Sequence, residues 1–86
     1  MSFHVKYSKN AAKDLSKLDN LVKRRIKEVV ETKLIENPVV NSTKLRDFEV
    51  KGARRLRVGN YRVIIFITGK VIEILRIGHR REIYKS

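Results

Sequence analysis

Gly59-Asn60, set between two runs of alternating side chains, constrains this chain more than any other feature. A two-residue loop of this composition is a strong hairpin signal, and loop length fixes the pairing register on both sides. Val58 then lies opposite Tyr61, Arg57 opposite Arg62, and Leu56 opposite Val63. Directly opposed side chains share a face of the sheet. One face therefore gathers Leu56, Val58, Tyr61, Val63, Ile65 and Ile67. A second tight turn, at Thr68-Gly69 or Gly69-Lys70, adds Ile72 and Ile74 to it, in a third strand read as Val71 to Ile77 and ended by Gly78.

The opposite face carries Arg55, Arg57 and Arg62 beside Ile64, Phe66, Glu73 and Leu75. Like charges directly opposed on a sheet destabilise it by a few tenths of a kcal/mol or more. Either Glu73 or a C-terminal carboxylate neutralises the cluster, or an anion occupies it. Guanidinium forks match phosphate oxygens in a bidentate way that lysine does not. Phe66 is placed either to stack a nucleobase or to join Ile64 and Leu75 in a small second core under the tail or a partner. An apolar strip rimmed by arginines also suits an acidic amphipathic helix.

The N-terminal half has helical rather than strand period. Phe3, Val5 and Tyr7 alternate with His4 and Lys6, which predicts a short first strand. Ser8 is a candidate N-cap for a helix with Ala11, Ala12, Leu15 and Leu18 on one side. Asp19 or Asn20 restarts the pattern, and Val22, Ile26, Val29, Val30 and Leu34 follow at helical spacing up to Asn37-Pro38. The two helices form an αα-hairpin. Residues 39–53 are the least regular stretch. The order is β-α-α-β-β-β plus a tail from His79 to Tyr84, an α+β arrangement with two helices over a mainly antiparallel sheet.

Composition narrows the function. The 86 residues are read as one domain, 1–86. Lys and Arg number 21 against 9 acidic residues, a formal net charge of +12. Such an excess opposes compaction by self-repulsion and favours a polyanionic partner: nucleic acid first, then an anionic membrane surface or an acidic protein. With no cysteine and only His4 and His79, the chain lacks the residues of a convincing metal site, and no cofactor is expected. No apolar run approaches the roughly 18 residues of a membrane span, and the N-terminus has no signal-peptide pattern, so a cytoplasmic location is expected. Lys23, Arg24, Arg25 and Lys27 form a basic run on the second helix, either a solvated face or a contact with nucleic acid.

Two segments carry a family resemblance. Arg55-Leu56-Arg57-Val58-Gly59-Asn60-Tyr61-Arg62-Val63-Ile64 resembles the signature of the RelE/ParE toxin superfamily. Ile77-Gly78-His79-Arg80-Arg81-Glu82-Ile83-Tyr84 resembles its C-terminal motif, and Lys44-Leu45-Arg46 also fits. The resemblance implies a microbial RNase-like RelE fold and the toxin half of a type II toxin–antitoxin pair. It implies ribosome-dependent cleavage of mRNA in the ribosomal A site, and a RelB-like antitoxin held in a heterodimer or heterotetramer. By motif position it implies catalytic roles for Arg62, Arg55, Arg80 and Tyr84. Lys44, Arg46, Lys51, Arg54, Arg57, His79 and Arg81 are candidate substrate contacts. Ala53 departs from the pattern, standing where a lysine is often found, with Lys51 and Arg54 nearby as replacements.

The reaction so implied is attack of an RNA 2′-hydroxyl on the adjacent phosphate, without a metal. Arginine stays protonated and is no general base. Tyr84, with a reference pKa of about 10, or His79, of about 6.5, is the candidate base, or the site has none, which would account for dependence on the ribosome. The alternatives are a ParE-like inhibitor of DNA gyrase with the same fold and a non-catalytic RNA-binding module.

Overall fold

A computed structural model of the chain describes residues 3–46 and 48–79. Strand β1 (His4–Tyr7) leads into helices α1 (Lys9–Ser16) and α2 (Asn20–Val29), and α2 continues as a π-helical turn over Val30–Leu34. Strands β2 (Thr43–Lys44), β3 (Arg54–Val58), β4 (Tyr61–Thr68) and β5 (Val71–His79) follow. The sheet order is β1-β5-β4-β3-β2, with β1 parallel to β5 and every other pair antiparallel. Two features differ from the sequence reading. The irregular stretch supplies the short edge strand β2, and β5 runs through Gly78 to His79.

The helix starts are capped as their residues dictate. Ser8 Oγ accepts from Ala11 N at 3.0 Å, and Asp19 Oδ1 accepts from Leu21 N at 3.0 Å, satisfying donors that a first helical turn leaves open. At the far end Asn41 Nδ2 donates to the carbonyls of Lys33 and Asn37, both at 2.9 Å. Ile26, Val30 and Leu34 are all fully buried. Residues four apart in an α-helix drift by roughly 40° per step. The wider π turn reduces that drift and keeps the three on one face.

The hairpin register is as the Gly59-Asn60 loop requires: Val58 pairs with Tyr61, Arg57 with Arg62 and Leu56 with Val63. Gly59 has φ +60° while Asn60 keeps a negative φ, the geometry of a turn with glycine at its first central position. The second turn is Gly69-Lys70, closed by Thr68 opposite Val71. Leu56, Val58, Val63, Ile65, Ile72 and Ile74 pack with Ala11, Leu15, Ile26, Val30 and Leu34 in the main core, so both helices cover this face.

One irregularity changes the far end of the sheet. Ile65 pairs with Ile74, yet Ile64 pairs with Arg76, so Leu75 is an extra residue on β5. This bulge shifts all later residues by one. Ile77 thereby enters the main core opposite Val63, and Gly78 comes opposite Arg62. On the other face Ala53 and Ile64 are buried beneath Leu45, Phe48 and Leu75. Among the described residues the 45–53 loop thus packs on the second core. Gly52, at φ +86°, lets that loop approach Phe66: a Cβ there would sit 3.2 Å from the ring.

Candidate nucleic-acid interface

Strand parity sorts the arginines. Arg55, Arg57 and Arg62 project from the face opposite the helices, because their neighbours Leu56, Val58 and Val63 enter the main core. Arg62 is only 5% exposed, and its Nε has no hydrogen-bond partner among the described residues. Its cross-strand partner Arg57 is exposed. On β5 the residue opposite Arg62 is Gly78, which presents no side chain. A buried guanidinium with an unused donor, beside a second cation and opposite a residue without a side chain, has the chemistry to receive an oxyanion.

Other residues read as substrate contacts are placed differently. Arg54 belongs to the helix-side parity of β3 and donates to three oxygens of the preceding segment. Its Nε reaches Ser42 Oγ at 2.7 Å, and its Nη2 reaches the carbonyls of Val39 and Ser42, both at 3.0 Å. Arg54 therefore organises the loop ahead of β2. His79 pairs with Tyr61 on the helix side, with ring centroids 5.8 Å apart and nearly perpendicular planes. The sheet separates it from Arg62. Lys44 is exposed on β2 opposite Arg54, and Arg46 and Lys51 are exposed in the loop. Ala53 is fully buried in the second core, so no cation takes its place there. Arg80, Arg81 and Tyr84 lie outside the described residues.

Sequence reasoning missed Asp14. Its Oδ2 accepts from Arg76 Nε at 2.8 Å and from Ile77 N at 2.9 Å, while Arg76 Nη2 reaches Oδ1 at 3.3 Å. Strand β1 stops pairing with β5 at Ile74. Beyond that point α1 takes over the edge: Ser8 Oγ donates to Leu75 O at 3.0 Å, and Asp14 accepts the Ile77 N–H. The Asp14 carboxylate holds the Arg76 guanidinium above its usual pKa, chiefly through their hydrogen bond. This anchors the bulged end of β5, and with it Gly78 beside Arg62. No local pattern announces a contact spanning 62 residues.

The second region of positive charge is a groove between α2 and the outer edge of β3. It encloses about 570 Å³ and is lined by Arg25, Lys33, Arg55 and Arg57 among others.

Fold and site together define a small, strongly basic α+β protein with an arginine cluster on the sheet face opposite its helices. The chain matches the family model for the ParE toxin of type II toxin–antitoxin systems, parDE, over residues 5–84, and it belongs to that family. It is 36% identical over 83 residues to Toxin RelE3 of Methanocaldococcus jannaschii, covering 93% of each chain. The fold superposes on a chain of the RelBE2 toxin–antitoxin complex from Mycobacterium tuberculosis with a TM-score of 0.85, at 28% identity, covering 93% of this chain and all of that one. A chain of the archaeal RelE–RelB complex from Pyrococcus horikoshii gives 0.76 at 32% identity, covering 95% and 99%. The expected RelE-type fold, with helices on one face of a mainly antiparallel sheet, is thereby established.

Proposed function

We propose that this toxin is a ribosome-dependent endoribonuclease that cuts mRNA in the ribosomal A site and is neutralised by a RelB-like antitoxin. The observation that carries the reading is Arg62, buried with an unused donor opposite Arg57 and Gly78. Desolvation makes a buried cation costly unless an anion answers it. A phosphodiester supplies that anion, and the cation stabilises the charge that develops on the phosphoryl oxygens. In the proposed step the RNA 2′-oxygen attacks phosphorus and its proton passes to a base. The bond to the 5′-oxygen breaks, and that oxygen takes a proton from solvent or from the conjugate acid of the base, leaving a cyclic phosphate and a free 5′-hydroxyl. The attacking group comes from the RNA itself, so the step calls for no metal. His79 lies across the sheet from Arg62, so Tyr84 is the better candidate base. The ribosome supplies in-line positioning of the RNA.

The M. tuberculosis and P. horikoshii relatives are toxins in complex with antitoxins, which supports a RelB-like partner here. The matched family model is that of ParE toxins, and it favours a second reading: inhibition of DNA gyrase without RNA cleavage. Primer extension on mRNA in programmed ribosomes separates the two. Cuts at the A-site codon that require ribosomes and disappear in Arg62→Ala support the nuclease. Intact mRNA, with loss of supercoiling by purified gyrase, supports the other reading.

A further inference from the structure

The groove between α2 and β3 is a separate feature from the Arg62 receptor, and its residues are built for one kind of ligand. Strand β2 covers β3 only at Arg54 and Arg55. Leu45 N donates to Ala53 O, so the outward-facing amides of β3 follow the alternation 53, 55, 57. The Arg57 N–H and C=O consequently point into the groove beyond the end of β2. Across from them stand Arg25 on α2 and Lys33 on the π turn, both exposed. Lys33 belongs to the turn whose wider winding keeps Leu34 in the core, which leaves its side chain on the groove rim. No carboxylate lines the groove among the described residues. Of its apolar side chains, Leu56 and Val58 are buried, Val29 is half-buried and Val40 alone is strongly exposed, at the rim, so most of the groove surface is still cations and donors.

We propose that this groove binds the phosphodiester backbone of single-stranded RNA and continues the path that begins at Arg62. Arg57 belongs to both places: it stands opposite Arg62 on the sheet and lines the groove at the strand edge. A strand whose phosphate sits at Arg62 therefore passes over Arg57 and descends between β3 and α2. Spaced cations with little apolar floor suit successive phosphates, whereas an amphipathic protein helix needs an apolar strip. The inference rests on reading the chain as an RNA-acting toxin.

The test is binding of a fluorescein-labelled oligouridine of about ten nucleotides, measured by anisotropy across a salt series without ribosomes. The Arg25→Ala/Lys33→Ala double variant should bind more weakly. Its log–log salt slope should be shallower by roughly 1.4, two phosphate contacts at about 0.7 each. A Lys23→Ala/Lys27→Ala variant removes the same charge from α2 outside the groove and should stay near wild type. Equal losses in both variants would reduce the effect to net charge and overturn the proposal. So would unchanged RNA affinity in the groove variant combined with lost binding of poly-glutamate, which would give the groove to an acidic protein segment. The Arg57 amide resonance of the wild-type protein gives a readout that needs no variant. It should shift on adding the RNA, and its constancy at saturation would count against the groove. Wild-type cleavage with an unaltered groove variant defeats this inference alone. Groove-dependent binding without ribosomal cleavage defeats the nuclease reading alone.

Discussion

Arg62 on β4 and Gly78 on β5 stand directly opposite each other, and the extra residue Leu75 makes them partners. Without that bulge Ile77 would face Arg62, and the main core would lose an isoleucine. The sheet thus accepts one irregularity and obtains both a filled core and a guanidinium facing a residue without a side chain. The cost is a buried cation with an unsatisfied Nε. Replacing Arg62 by methionine should therefore leave the protein as stable as before, or more stable by about 1 kcal/mol, since an apolar side chain of similar length removes the desolvation penalty. Toxicity and RNA cleavage should be abolished. Urea denaturation beside the primer-extension assay checks both halves. A loss of several kcal/mol would mean that Arg62 is a structural residue instead.

Asp14 is the fold's hold on that arrangement. Asp14→Ala should destabilise by about 2–3 kcal/mol, because the Ile77 N–H and the Arg76 guanidinium both lose a charged acceptor. Asp14→Asn keeps an oxygen for Ile77 and should cost about half as much. Arg76→Ala should cost least, about 1 kcal/mol or under, because Arg76 is 39% exposed and the bond to Ile77 survives. The order of the three denaturation midpoints is the measurement, and Arg76→Ala as the most damaging change would contradict this account.

Legibility in the sequence followed the range of the interactions. The Gly59-Asn60 loop dictated three cross-strand pairs because a two-residue turn leaves the register no freedom, and Arg57 opposite Arg62 came with them. Helical period marked Ile26, Val30 and Leu34 as core for the same local reason. The bulge was hidden because strict alternation is the default for a strand, although the spacing of Ile74 and Ile77 carries a trace of it. Side-chain parity was readable for Arg55, Arg57 and Arg62, whereas Arg54 and His79 entered as candidates by motif position and fell on the helix side. Asp14 and Lys33 were beyond reach: one acts over a separation of 62 residues, the other through a change in helix winding.

Arg54 provides a check on that sorting. Its guanidinium holds Val39 and Ser42, so Arg54→Ala should cost about 1–2 kcal/mol and loosen the segment before β2. Hydrogen exchange at the Val40, Asn41 and Ser42 amides should quicken. Lysine should not restore protection, because one ammonium does not reproduce the planar fork. Cleavage by the variant, measured at a temperature where it remains folded, should persist. A variant that is fully folded yet inactive would give Arg54 a substrate contact as well.

Tyr7 links stability to alkaline pH. Its hydroxyl is buried without a partner among the described residues, and its pKa is raised, first by burial and then by the Glu31 charge. The folded protein therefore keeps the phenolic proton at a pH where the unfolded chain, near the reference value of about 10, has released it. Folding binds more protons than unfolding in that window, so stability falls as pH rises. The contribution is complete below about pH 10 and is lost progressively from there through the higher folded value. Tyr7→Phe removes both the titration and the unpartnered hydroxyl. It should match or exceed wild-type stability at neutral pH, and its advantage should widen as pH rises above about 10. Thermal denaturation of both proteins across this range isolates the Tyr7 contribution, since every lysine titrates alike in the two. A constant difference from neutral to alkaline pH would show that the phenol ionises as readily in the folded protein as in the unfolded chain.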